Sequence, residues 1–275
     1  AASNFAGKVV SAGTGANALS LLGVGTLTLS GDSSSSGVTG DINVINGTLN
    51  VTGKLGSANV TSATSGTITG AGGTIGALTV NTGTVAPGGT LNTGAVTLNA
   101  ATNYSAAVLT TTTAANLKTA SAINLGGATL SLSSVAAGLA VNNTFTIIDN
   151  TAVSGLVTGT FANQPEGSSI SAKDTAGNTV TFTVSYIGGT NANDVTLKVS
   201  SITSATPTPT APAQPMVAGQ PALNKFTAVG ADAGGGGLAG TCGRDHRRQC
   251  HAHEEEPIAV GHHEGFAAYG IGQGG

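Results

Sequence analysis

The first 200 residues of this chain contain no Arg, His, Cys, Met or Trp, and every Arg, Cys and His of the 275 lies between Cys242 and His263. Imidazole, thiolate and guanidinium supply most general bases, nucleophiles, metal ligands and anion clamps, so the main body is expected to be architecture rather than chemistry. Charge is equally scarce, at 8% of residues against roughly 25% in an ordinary globular domain. Residues 1–200 carry five Lys against six Asp plus Glu, which leaves no basic footprint for a nucleic acid. No apolar run reaches the roughly 18 residues a membrane-spanning helix needs. The chain opens at Ala1 without Met, charged leader or apolar h-region, so any signal peptide is expected to have been removed or to lie upstream, and the chain reads as a piece of something longer. Aromatics are only 3%, which leaves a core of many small layers.

What is abundant is glycine, 43 residues, together with Ala, Val, Leu, Ile and Thr in a chain of positive mean hydropathy (+0.21). Long disordered tracts rarely combine that hydropathy with β-branched alternation. From Ile42 the chain reads INVINGTLNV, ANVTSATSGTITG, ALTVNTGTVAPGG and AVTLNAATNYSAAV. Each unit is a short alternating strand, a polar break, and a second strand that often opens with Gly-Thr. The pairs at Gly47, Gly66 and Gly83, and the first-strand valines Val44, Val60 and Val80, imply one rung per roughly 18 residues. Alternation puts Val44, Leu49, Val51, Val60, Ile68, Leu78, Val80 and Val85 on one face and Thr, Asn or Ser on the other. So short a unit cannot bury its apolar face alone and must stack on its neighbours. The fold expected is therefore all-β, a parallel β-helix over residues 1–200, with Gly and Asn at sharp corners. About ten coils, near 50 Å in length, would follow from that period. Only Ala114 to Ala122 looks even weakly helical.

From about residue 145 the larger side chains Phe145, Phe161, Phe182 and Tyr186 gather, and they are expected to cap the open end of the stack. A Pro/Thr-rich segment, residues 201–222, reads as an extended linker. Residues 223–275 form an irregular, largely disordered Gly/His-rich tail on this reading.

The string from Leu27 to Gly89, with LTLSGD, INGTLNVTGKLGS and SGTITGAGGTIGALTVNTGTVAPGG, resembles the autotransporter-associated β-strand repeat of bacterial secreted and surface proteins. The match covers residues 19 to about 100. The block from Phe145 to Val199, with FTIIDN, VTGTFANQPEGSSIS and VSYIGGTNANDVTLKV, resembles the segment that commonly ends such repeats. The resemblance implies right-handed winding, a passenger-type region, and a secreted or cell-surface location in bacteria. It also implies neighbouring domains of a larger surface protein as partners, with an extracellular glycan or protein as the ligand of an adhesin-like scaffold. No translocator barrel of repeated ten-residue amphipathic strands is present, so this piece is not expected to secrete itself. In the tail, NKFTAVGADAGGG and GFAAYGIGQGG resemble the opening of FG-GAP propeller repeats. The stretch between them, GTCGRDHRRQCHAHEEEPIAVGHHE, fits nothing in that pattern and reads as an out-of-frame translation.

The sequence assigns no catalytic residue, cofactor or metal. Cys242, Cys250, His251 and His253 are the candidate ligands, but their spacing matches none of the structural zinc motifs. The body's acids are Asp32, Asp41, Asp149, Glu166, Asp174 and Asp194, and any base would have to be Lys54, Lys118 or Lys173. A carbohydrate-active β-helix would need two of those carboxylates to converge in a groove. Ile187–Asp194, IGGTNAND, looks like a calcium turn, yet Asp194 is one position late in a single copy, which favours a polar turn. Thr26, Thr28, Thr67, Thr69, Thr82, Thr84 and Thr110 to Thr113 could build a hydroxyl face for ice or a glycan, and Tyr104 and Tyr186 an aromatic patch. The Asn-x-Ser/Thr triplets at Asn46, Asn50, Asn59, Asn103 and Asn142 fit corners or amide ladders better than modification sites.

Overall fold

The computed structural model describes residues 2–9, 17–34, 40–152 and 157–205, with two further dipeptides at 230–231 and 237–238. The chain divides into two compact units, Ala1–Ala205 and Thr206–Gly275. Among the described residues the first unit is all strand, with no helix.

Three parallel ladders organise it. The first joins β2 (Asn17–Leu21), β4 (Asp41–Val44), β6 (Val60–Ser62), the start of β8 (Leu78–Val85), the start of β10 (Val96–Val108), β12 (Ile123–Asn124) and β15 (Val157–Thr158). The second joins β1 (Ala2–Phe5), β3 (Thr26–Leu29), β5 (Thr48–Val51), β7 (Thr67–Gly70), the ends of β8 and β10, and β13 (Thr129–Val135). The third starts as single bridges, Asp32 to Lys54 to Thr74 to Asn92. It continues through β9 (Thr90–Asn92), β11 (Asn116–Thr119) and β14 (Thr144–Asn150). The chain visits the ladders in turn, so each pass lies on the one before it.

The register follows from alternation. Strands β4, β5 and β7 each read half-buried, buried, half-buried, buried. Their inward ranks Leu27, Leu49, Ile68, Val85, Tyr104, Leu130 and Ile42, Val60, Leu78, Val96, Ile123 face in register. Ile42, Leu49, Val60, Ile68, Leu78 and Val85 are all 0% exposed. Each such side chain contributes about 1.5–3 kcal/mol of transfer free energy when buried. The Gly-Thr pairs do mark one rank, since Thr26, Thr48, Thr67 and Thr84 are mutual partners. Val44, Val60 and Val80 do not share a rank: Val60 pairs with Ile42 and Leu78, while Val80 pairs with Ser62. The rank that does run through Val60 has three equal steps of 18 residues, along Ile42, Val60, Leu78 and Val96.

The passes lengthen after Val96, and the second ladder holds seven strands. At ~4.8 Å per strand that stack is about 29 Å long, shorter than the expected 50 Å. The difference arises because the chain turns from parallel stacking to antiparallel pairing. Strand β14 pairs antiparallel with β18 (Asp194–Thr203), which pairs with β17 (Thr179–Gly188), which pairs with β16 (Ser169–Lys173). The segment that looked weakly helical is strand β11, held between β9 and β14. Lateral pairing on both sides outweighs a local propensity worth tenths of a kcal/mol per residue. Strand β18 runs to Thr203 with Ile202 opposite Val180, so residues 201–203 belong to the sheet and not to a linker.

In the second unit the described residues are β19 (Gly230–Ala231) and β20 (Gly237–Leu238), an antiparallel pair. The rest of the expected linker and tail, with Cys242, Cys250, His251 and His253, lies outside the described residues.

Candidate functional site

The outward surface of the ladders is built from amide and hydroxyl groups that bond one pass to the next. Asn59 Nδ2 donates to Asp41 Oδ1 (3.1 Å) while its Oδ1 accepts Ala77 N (3.0 Å). Asn99 Nδ2 donates to Asn81 Oδ1 (2.5 Å), and Ser65 Oγ to Asn46 Oδ1 (2.5 Å). Asn50 Nδ2 donates to Thr28 Oγ1 (3.2 Å), and Ser131 Oγ to Asn103 Oδ1 (2.9 Å). Four of the Asn-x-Ser/Thr asparagines, Asn46, Asn50, Asn59 and Asn103, are therefore rungs of such side-chain ladders. Where the first ladder turns into the second, buried hydroxyls serve the backbone: Ser62 Oγ donates to Thr82 O (2.9 Å) and Thr102 Oγ1 to Val80 O (2.7 Å).

The third ladder carries the charge. Its register runs Asp32, Lys54, Thr74, Asn92, Lys118, Asp149. Lys54 sits 3.7 Å from Asp32 at one end, both well exposed, and Lys118 Nζ is 2.7 Å from Asp149 at the other. Hydrogen bonds from the side chain and backbone of Ser34 hold the Asp32 carboxyl below its usual range. Five steps of ~4.8 Å separate Asp32 from Asp149, about 24 Å. A glycosidase pair needs carboxylates roughly 5–9.5 Å apart, so these two do not form one.

One acid does join Asp149. Asp194, at the start of β18, accepts the N–H of Asn150 (2.9 Å), and burial first, with the neighbouring Asp149 charge, pushes its carboxyl upward. Lys118, Asp149 and Asp194 are thus the described acid and base groups that the fold gathers. Sequence reasoning listed all three without placing them together, because β11, β14 and β18 are remote in the chain. Each already has framework work: Asp149 pairs with Lys118, and Asp194 anchors β14. Of the other acids, Asp41 opens β4 beside Asn59, and Asp174 and Glu166 stand apart next to turns. Asp174 accepts Ala176 N, Asn178 N and Asn178 Nδ2 (each 2.9 Å), and the Asn178 side chain is the main reason its carboxyl lies low. Glu166 Oε2 accepts Tyr186 N (2.7 Å).

The Ile187–Asp194 turn is a polar staple. Asn193 Nδ2 (2.7 Å) and Asn191 Nδ2 (3.2 Å) both donate to Ala152 O, and Gly189 adopts a positive φ of 73°. Tyr104 and Tyr186 form no exposed patch, since they are 0% and 7% exposed. Their rings flank Phe161, at 5.6 and 6.2 Å between centroids. Tyr104 Oη donates to Ile147 O (2.6 Å), and Tyr186 Oη donates to Gln164 O (2.6 Å) while accepting Phe161 N (3.0 Å). Burial raises both phenols above their ordinary range. These aromatics tie the end of the second ladder to β14 and to the turn before β16.

The threonines divide. Thr26, Thr67 and Thr84 share a half-buried rank with Thr48, and Thr61, Thr79 and Thr97 form another on the first ladder. Asn50 interrupts the rank of Thr28 and Thr69. Thr110 to Thr113 lie in a tight turn closed by Thr110 Oγ1, which contacts Thr113 Oγ1 at 2.7 Å, and so are not part of a flat face. Among the described residues no group of three or more His, Cys, Asp or Glu is placed to hold a metal ion. No helix among them is long and apolar enough to cross a membrane. No protein-family model, curated protein or solved structure matches the chain.

Proposed function

We propose that the three ladders are the faces of a right-handed parallel β-helix that serves as a stalk or display scaffold. It is a passenger-type segment of a secreted or surface bacterial protein, of the autotransporter-associated β-strand repeat kind. The observation that carries this reading is the register itself: equal steps of 18 residues on one ladder, in step with a second ladder of seven strands. Such stacking gives every pass the same two neighbours, so stiffness along the axis comes from continuous lateral hydrogen bonds rather than from any single contact. The side-chain ladders of Asn, Ser and Thr add to it on the outside. The mechanism is mechanical and non-enzymatic: the scaffold holds neighbouring domains, and through them an extracellular glycan or protein ligand, at a fixed distance.

Spin labels at Ser20 and Asn124 test the reading, because those residues sit five steps apart on the first ladder. A stiff stack gives a narrow distance distribution centred about 24 Å apart before label length is added. A broad distribution would refute the rod. Surface display is tested separately, by whether an antibody raised against residues 1–205 labels intact cells of the source organism.

A further inference from the structure

Glycine has a directional meaning in this unit. A Cβ built on Gly31 would strike Gly7 O at 2.1 Å, one on Gly47 would strike Gly23 O at 2.3 Å, and one on Gly53 would strike Gly31 O at 2.2 Å. The same holds for Gly66 against Val44 O (2.5 Å), Gly76 against Ser57 O (2.4 Å) and Gly83 against Gly66 O (2.3 Å). Each of these glycines faces the preceding pass, and its missing side chain lets that backbone approach. Two columns of this kind end at Gly23 and Gly7. At Gly23 a Cβ would meet nothing within 4 Å, and at Gly7 it would meet only the ring of Phe5, at 2.9 Å. Gly23 has the clearance for a preceding pass, Gly7 gains it when the flexible Phe5 ring swings aside, and no described pass lies against either.

The same end exposes apolar side chains. Phe5 is 44%, Leu22 66% and Val24 89% exposed, beside a shallow concavity lined by Ser3, Leu21, Gly23 and Val24. Among the described residues β1 pairs only with β3, and β2 only with β4. The opposite end is covered by antiparallel strands and the Phe161 cluster.

We propose that this N-terminal face is a docking surface for one more parallel β-rung of the same glycine-threonine chemistry, entering beside Gly23 and Gly7 and continuing the ladders past β1 and β2. The glycine columns select this occupant. A backbone running parallel to β1 and β2 would bring its carbonyls onto Gly23 as Gly23 O and Gly25 O come onto Gly47. Neither β1 nor β2 contains a charged residue, so the partner strand is neutral and apolar on its inward side. The proposal rests on the β-helical reading above.

The test fuses a copy of residues 48–65 directly ahead of Ala1 in the full chain, which puts Ala1 in the place of Gly66 and Ala2 in that of Thr67. Hydrogen exchange is compared with the parent and with a scrambled extension of equal length. Docking is expected to slow exchange about tenfold or more across Ala2–Phe5, Asn17–Leu21 and the added segment. Gly23→Val is expected to be silent in the parent and to abolish that protection in the extended chain. An added segment that exchanges as fast as the scrambled one overturns the proposal, as does equal tolerance of Gly23→Val in both chains. A dimer of the parent that itself protects β1 also overturns it, by making a second copy the occupant. Loss of protection in the parent across residues 41–108 would instead overturn the β-helical reading.

Discussion

Replacing Gly66 by Ala adds one methyl group and separates rung packing from every other role of glycine. Neither Gly66 nor Gly23 lies in the left-handed region, so neither substitution meets a backbone-conformational penalty there. At Gly66 the new Cβ falls 2.5 Å from both Val44 O and Val44 Cγ1, and 3.0 Å from Val44 C. Restoring ordinary contact requires the two passes to part by nearly 1 Å. That stretches Ser65 N to Ile45 O (3.2 Å) and Thr67 N to Gly47 O (2.8 Å), which hold the rungs on either side. Weakening two hydrogen bonds costs about 1 kcal/mol each, and overpacking a filled site about 1–3 kcal/mol more. Against this, Ala restricts the unfolded chain and returns about 0.4–1 kcal/mol. The net expectation is a loss of about 2–4 kcal/mol. For a unit of this size that lowers the melting temperature by roughly 5–12 °C. Gly23→Ala, with no atom within 4 Å, keeps only the favourable term and should melt slightly above the parent. Thermal unfolding followed by the strand band in circular dichroism measures both. The reasoning is refuted if Gly66→Ala melts at or above Gly23→Ala.

Phe161→Ala removes a side chain 1% exposed between Tyr104 and Tyr186; it should cost about 3–5 kcal/mol in denaturant titration, whereas Phe5→Ala, at 44% exposure, should cost far less. Tyr104→Phe leaves Ile147 O without its buried donor and should cost about 1–3 kcal/mol; a neutral result would show that another donor replaces the phenol. Asp194 has a raised folded-state carboxyl pKa, so between the ordinary carboxylate value of 3.8 and that raised value the folded state binds more protons than the unfolded state. Its contribution to stability therefore falls as pH rises through that window. Asp194→Asn should raise the melting temperature at neutral pH, with the gain vanishing below about pH 3.8; a gain that persists at pH 3 would assign the effect to packing instead.

How much of this was legible beforehand depends on how local the cause is. The inward ranks Leu49, Ile68 and Val85 could be read from alternation, and the rank Thr26, Thr48, Thr67 and Thr84 from the Gly-Thr pairs, because strand geometry has period two and a glycine precedes the threonine in each of those four passes. The register of the first ladder differs by two residues from the valine spacing, since Ile42 and Val44, or Leu78 and Val80, are equally apolar and equally buried, and alternation alone cannot choose between them. The cluster of Lys118, Asp149 and Asp194 had no local signal. It depends on β14 pairing in parallel with β11 on one side and antiparallel with β18 on the other. Tyr104 looked available for binding because composition cannot tell a buried phenol from an exposed one, and its donor bond to Ile147 O is 43 residues away in sequence.

By itself, then, the sequence determined that the body is all strand, that its apolar face is one residue in two, and that its passes recur near 18 residues with glycine at the corners. Those properties follow from local sterics and from the need of each short unit to cover its neighbour. Tertiary structure alone decided where parallel stacking stops and antiparallel pairing begins, which aromatics close that junction, and which acids meet there. Each of those outcomes depends on contacts between segments remote in the chain, such as Phe145 opposite Leu197 and Phe161 against Tyr104, and no periodicity in either segment announces its partner.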